Sequence, residues 1–204
     1  MTTAASISDK FRASATSLSA LPAEQILAVI DHLAKNPPAT EDKRHEYVSI
    51  CDALSTNPRY RVKEALAQGL YLSDEAQVRV LQGDNGRDPD IMELMASNPT
   101  IGTPAQDLIF IRGGHSAVAA LAQNLNVSDE VQIMIAQNGS VLARSYLAAN
   151  PNVSGQAAEI LKQDDEGHVQ EAIAATLDAR ESLPEEQRPV LEAIGLSLQH
   201  CEHS

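Results

Sequence analysis

The sequence predicts an all-α protein, an α-solenoid in which short pairs of helices stack along the chain. The first observation is a four-residue pattern, Leu-Ala-Gln-Asn at 121–124, which returns as Leu-Ala-Ala-Asn at 147–150. Its leading apolar position falls on four residues separated by 29, 26 and 26 positions, which are Leu66, Met95, Leu121 and Leu147. A fixed period in this range is typical of stacked helical units.

Helix-start and helix-stop residues recur with the same period. The first helix of each pair is predicted to begin at Ser73, Thr103, Ser128 and Ser154. A hydroxyl at this place accepts a hydrogen bond from an amide that the helix itself leaves unpaired, and Thr103 with Gln106 also forms a capping-box pattern. The same helices are predicted to end near glycines in a left-handed conformation, at Gly83, Gly113, Gly139 and Gly167.

The second helix of each pair is predicted over 90–97, 116–123, 142–149 and 168–176, and Asn-Pro ends two of them. Helices this short are not stable alone, so each must bury its apolar side against the previous unit. The predicted organisation is a flexible N-terminus (1–20), N-terminal helices that form a cap (21–57), the repeat array (58–178), and a C-terminal capping helix with its tail (179–204).

The composition and charge of the chain disfavour some kinds of function and favour others. Aromatic residues make up only 3% of the chain and Trp is absent, which disfavours a ring-lined ligand pocket or a base-stacking platform. The net charge is −13, divided as +1 over residues 1–63 and −14 over 64–204. Phosphate binding needs concentrated Lys and Arg, whereas an acidic field attracts a basic protein surface. We therefore expect a basic protein partner and no direct nucleic-acid binding.

The cysteines and the hydropathy pattern indicate a cytoplasmic protein. Cys51 lies in an apolar helical pattern and Cys201 is far from it, so a buried reduced thiol is expected at Cys51 and no disulfide framework. The chain has no apolar run of 18 residues, and its first residues have no secretory h-region. No membrane insertion is expected.

Patterns that resemble known catalytic or metal motifs are incomplete. His45-Glu46 begins like a zinc-protease helix, but Ser49 stands where the second histidine is needed. Residues 84–90 cluster carboxylates like a calcium loop, but Met95 stands where the closing glutamate is needed. We therefore predict no cofactor, no metal and no enzymatic activity. A hydrolase with a His/Asp site assembled only in space is kept as a competing class.

The segments 121–139 and 135–161 resemble the variant leucine-rich repeat family, chiefly through Ala-Ala-Asn-Pro-Asn-Val-Ser at 148–154. The resemblance covers roughly residues 58–178. It implies a right-handed α-solenoid of alternating helices, similar in style to HEAT and armadillo arrays, and it implies no particular activity. Some members of the family carry an iron–sulfur cluster on N-terminal cysteines, a group that this chain lacks.

The leading functional interpretation is a non-enzymatic interaction module, regulatory or inhibitory, that docks an acidic helical-repeat surface on a basic protein. The candidate partner-binding residues are the acids Asp74, Glu75, Asp84, Asp88, Asp90, Asp129 and Glu130 and the bases Arg59, Arg61 and Lys63. One alternative is a nucleic-acid-binding repeat protein of the kind found among helical-repeat glycosylases. Another is a decoy that inhibits a DNA-handling or secretion machine by nucleic-acid mimicry.

Overall fold

A computed structural model describes residues 18, 21–38, 40–68, 71–83 and 88–182 of the chain. Throughout these ranges the regular structure is helical, which confirms the predicted all-α class. The predictions for the extreme N-terminus, the C-terminal capping helix and tail, Cys201 and Asp84 lie outside the described residues.

Eleven helices occupy the described ranges, joined by short turns. They are α1 (Ala23–Lys35), α2 (Glu41–Leu54), α3 (Tyr60–Ala67), α4 (Asp74–Gln82), α5 (Pro89–Ala96), α6 (Thr103–Arg112), α7 (His115–Gln123), α8 (Asp129–Asn138), α9 (Val141–Ala148), α10 (Gly155–Leu161) and α11 (Gly167–Ser182). From α4 onwards, the even-numbered helices are the predicted first helices and the odd-numbered ones the predicted second helices.

The predicted N-caps are correct wherever serine precedes the helix. The hydroxyls of Ser73, Ser128 and Ser154 each accept a hydrogen bond from the amide three residues later. The prediction at Thr103 is wrong, because Gly102 is the N-cap of α6 and Thr103 is its first helical residue. The capping box is also wrong, because Gln106 binds the backbone of neighbouring loops instead.

The prediction of left-handed glycines at the helix ends is wrong. Gly113 and Gly139 follow α6 and α8 with φ of −68° and −67°, in extended backbone. Glycine is favoured there because the backbone of the preceding helix turn lies too close for a side chain. A Cβ on Gly139 would lie 2.5 Å from the carbonyl oxygen of Ile135. Gly83 is likewise not left-handed, with φ of −29°. Gly167 does not end α10 at all but opens α11.

Each helix packs against the helix two places further along the chain. The odd-numbered helices contact one another in sequence from α1 to α11, and the even-numbered helices do the same from α2 to α10. Contacts between consecutive helices join these two rows. The apolar position that defines the period is buried in every unit, with no exposed surface at Leu66, Met95, Leu121 or Leu147.

Buried asparagines connect successive helices of the odd row. Asn124 donates from Nδ2 to the carbonyl oxygens of Ala96 and Asn98, both at 2.8 Å, and Asn150 makes the equivalent bonds to Ala122 and Asn124. The carbonyls at a helix C-terminus have no partner within their own helix. The asparagine of each unit therefore completes the hydrogen bonding of the helix end before it.

Buried glutamines connect the even row in a second series. Gln132 donates to the carbonyl oxygens of Val127 and Asn152, and its own oxygen accepts from the amide of Ser154 at 2.6 Å. Gln106 and Gln77 make the equivalent bonds one and two units earlier. Because both ends of each amide are satisfied by backbone, these polar side chains are buried without an unpaired group.

Cys51 is fully buried on α2, as predicted for a reduced thiol. Burial, with a smaller contribution from the charge of Asp52, raises the pKa of Cys51 to about 12. The thiol therefore stays protonated at neutral pH and has a structural role.

Candidate partner-binding surface

Acid pairs open two helices of the even row, and the structure separates their members by exposure. Glu75 on α4 and Asp129 and Glu130 on α8 are exposed to solvent. Asp74 is half-buried, and its carboxylate lies beside Gly102 of the next unit. Three of the four helix-start acids are therefore available to a partner, at equivalent places two units apart.

Asp74 has a neighbour that explains its partial burial. A Cβ on Gly102 would overlap the Asp74 carboxylate, so this carboxylate occupies the place that a side chain at Gly102 would take. Gly102 is the N-cap of α6 and offers no side-chain acceptor. A negative charge is favourable beside a helix N-terminus. Asp74 thus stabilises the start of α6 from the preceding unit.

The segment 82–90 contributes one exposed acid among the described residues. Asp88 caps α5, because its Oδ1 accepts from the amides of Asp90 and Ile91. Asp90 is exposed, and its Oδ2 accepts a hydrogen bond from the Tyr60 hydroxyl at 3.4 Å. Partial burial first, and then the charge of Asp90, raises the pKa of Tyr60. Asp90 is therefore presented on the odd row, close to Tyr60.

The three basic residues among the candidate partner-binding residues have different surroundings. Arg59 donates to the carbonyl oxygen of Leu21 at 3.1 Å, which ties α3 to the start of α1. Arg61 is exposed, whereas Lys63 is buried and its amine lies against Gly83, at the end of α4. A cation is favourable beside a helix C-terminus. Arg59 and Arg61 are therefore both exposed, with Arg59 already bonded to the chain, whereas the charge of Lys63 is buried.

Arg144 occupies the position equivalent to Lys63 three units later, on α9. It forms a bidentate ion pair with Asp164, with Nε to Oδ2 at 2.6 Å and Nη2 to Oδ1 at 3.1 Å. Hydrogen bonding from Arg144 lowers the pKa of Asp164. In both units a cation of the odd row reaches the end of the next even helix, and Arg144 is therefore not free to bind a partner.

The sequence reasoning missed an exposed apolar surface on α9. Val141, Leu142 and Tyr146 retain 38%, 50% and 37% of their accessible surface. Leu142 and Tyr146 lie four residues apart, so their side chains are neighbours on the helix surface. We call these three residues the α9 apolar face. The available signal was the large side chain at 146, because the equivalent position on α7 is Ala120 and on α11 is Ala172.

Metal sites, membrane-spanning helices and known relatives were each looked for in the chain. Within the described ranges, no three or more His, Cys, Asp or Glu side chains are grouped so that they would hold a metal ion. The same part of the chain contains no helix with the length and apolarity needed to cross a bilayer. Comparison with protein-family models, with curated proteins and with solved structures finds no match to this chain.

Proposed function

We propose that this protein is a non-enzymatic interaction module of the cytoplasm that docks an acidic helical-repeat surface on a basic partner protein and thereby regulates or inhibits it. The observation that supports this is the recurrence of exposed acids at one place on stacked helices, Glu75 on α4 and Asp129 and Glu130 on α8. Charges spaced along a rigid stack attract an oppositely charged surface and raise the rate of encounter.

We further propose that the two rows form a right-handed α-solenoid of the variant leucine-rich repeat type, with capping helices at both ends. The packing of each helix on the second-next helix supports the stacked arrangement. Ala174 is exposed on α11 whereas the equivalent Ala148 is fully buried, so this side of α11 is where the proposed C-terminal capping helix would pack.

The test begins with cross-linked affinity capture from the native cell, followed by kinetics with the captured partner. The variant reverses three exposed acids, Glu75→Lys, Asp129→Lys and Glu130→Lys, and leaves Asp74 intact beside the N-terminus of α6. We expect its association rate to fall by about tenfold or more at low salt, with a smaller difference at physiological salt, because screening weakens steering.

A matched control changes the net charge equally on other surfaces, with Glu24→Lys, Asp31→Lys and Glu159→Lys. These acids are exposed. In the part of the chain that the structure describes, Asp31 and Glu159 form ion pairs only with lysines four and three residues later, so their loss should not disturb contacts between units. This control variant should associate with the partner at a rate much closer to that of wild type than the first triple variant does. Equal rates for wild type and the first triple variant at low salt would contradict the proposal.

Nucleic-acid binding is the alternative that the same experiment must exclude. A repeat protein that reads DNA needs a basic surface, and the charge of −14 over residues 64–204 opposes this. A decoy that mimics nucleic acid would instead compete with DNA for the captured partner. A tight gel shift with duplex DNA at low salt would reject the acidic interaction module, and competition by DNA would favour the decoy form of it.

A further inference from the structure

We propose that the solvent side of α7 and α9, centred on the α9 apolar face, is the docking surface for an amphipathic helical segment of a partner, with apolar anchor residues flanked by Lys or Arg. This inference rests on the proposed function and specifies where on the molecule the partner binds. It differs from the acid-steering argument because it concerns the odd row of helices and requires an apolar contact.

The α9 apolar face is larger than its repeat position requires. The residues equivalent to Leu142 are Ser116 on α7 and His168 on α11, so a polar side chain serves the fold at that position. Single exposed apolar residues are common on protein surfaces, whereas apolar side chains exposed together form a patch that a partner can cover. Val141, Leu142 and Tyr146 are exposed together, within two turns of α9.

Small side chains lie on both sides of the Tyr146 ring. Ala120 on α7 and Ala172 on α11 hold the equivalent position, and both are half-buried. Because α7 and α11 both pack against α9, these alanines lie in the neighbouring helices of the same row. At this position the row therefore has one large aromatic side chain with an alanine in each neighbouring helix, which leaves room for an aliphatic side chain of a partner helix to pack beside Tyr146.

The charges around this apolar centre are negative on both flanks. Asp90 and Glu93 on α5 are exposed on one side, and Glu171 on α11 is exposed on the other. Between them, α7 and α9 carry a single Lys or Arg, which is Arg144, and it is already paired with Asp164. A partner that places apolar residues on α9 and basic residues at its two ends complements both features.

The same charges argue against two other occupants. A second copy of this chain would bring the same acids against themselves, because a two-fold interface pairs each patch with its own equivalent. The segment 183–204 has four Glu and one Arg, so it would also bring negative charge to acidic flanks. A basic amphipathic segment from another protein is the occupant that the charges favour.

The test uses the full-length protein and a synthetic helical peptide of Leu and Lys with its leucines on one face. Two control peptides carry Ser for Leu, or Glu for Lys, and binding is followed by fluorescence anisotropy at low salt. We expect Leu142→Ser with Tyr146→Ser to weaken binding of the Leu/Lys peptide by about tenfold or more, since buried apolar anchors dominate such interfaces. Glu93→Lys with Glu171→Lys should weaken it as well.

The matched control is Ile111→Ser on α6, because Ile111 is 73% exposed but lies on the even row. This variant should bind within about twofold of wild type if the apolar contact is local to α9. Circular dichroism of each variant should match wild type, since none of the changed side chains is buried in the core.

Each outcome has a separate meaning. Equal binding of the Leu/Lys and Ser/Lys peptides, with no effect of the α9 double variant, would overturn this surface and leave charge-driven docking intact. Self-association that depends on concentration and is lost in the double variant would overturn it in favour of a second copy. Failure of every Lys-containing peptide to bind wild type would contradict the proposed function itself.

Discussion

Replacement of Asn124 by alanine tests whether the asparagine series holds the helices together. Asn124 is 8% exposed. Its Nδ2 donates to the carbonyl oxygens of Ala96 and Asn98, and its Oδ1 accepts from the amide of Asn126 at 2.9 Å. A hydrogen bond of this kind contributes about 1 kcal/mol net, and a buried group left unpaired costs about 1–3 kcal/mol. Three lost bonds therefore predict a loss of about 3 kcal/mol in the free energy of unfolding.

Urea denaturation followed by circular dichroism measures this loss directly. The matched control is Asn138→Ala, because Asn138 is exposed and its side chain makes only a 3.5 Å bond to the carbonyl of Met134 in the same helix. The control should change the free energy of unfolding by less than about 0.5 kcal/mol. If Asn124→Ala also stayed within about 0.5 kcal/mol of wild type, the connection between units would have to be assigned to apolar packing alone.

Three further predictions concern other contacts. Gly139→Ala should destabilise the fold by about 1–3 kcal/mol, because its Cβ would meet a backbone carbonyl oxygen. Gly155→Ala is the matched control and should be neutral or stabilising, because nothing lies within 4 Å of its Cβ. Thermal melts of the two variants and wild type compare them. Asp164→Asn should lose stability at pH 7 and progressively less below the unfolded Asp pKa of about 3.9, because Arg144 lowers the pKa of the folded carboxyl. Urea midpoints of wild type and variant from pH 7 down to about pH 2 check the sign, since the difference should shrink only in the acidic part of that range. Cys51 should react with a thiol reagent at pH 8 only after unfolding, since its pKa is raised to about 12; a Cys201→Ser background isolates the signal, and rapid labelling of the folded protein would contradict it.

Much of the fold follows from local sequence, because each unit repeats the same burial pattern. The spacing of Leu121 and Leu147 predicts the same environment for both, and both are fully buried. Serine before a helix predicted an N-cap correctly at Ser128 and Ser154. These features depend on residues close together in the chain, so a single sequence is sufficient to identify them.

Features that depend on contacts between units were not predictable in this way. Gly102 caps α6 without a side chain because the Asp74 carboxylate of the previous unit stands beside it. The exposure of Tyr146 depends on which side of α9 faces its neighbours, and a helix with alanine on both sides gives no clear periodic signal. Among the candidate site residues, exposure could be assigned only after the packing of the helices was known.

The asparagine series also has a direction along the chain. Asn98, Asn124 and Asn150 all donate to carbonyl groups that precede them by 26 to 31 residues. During synthesis on the ribosome, every acceptor therefore leaves the exit tunnel before its donor. The carbonyl acceptors of one unit are therefore already in place when the asparagine of the next unit is made. The units can then fold onto one another one at a time, in the order in which they are translated.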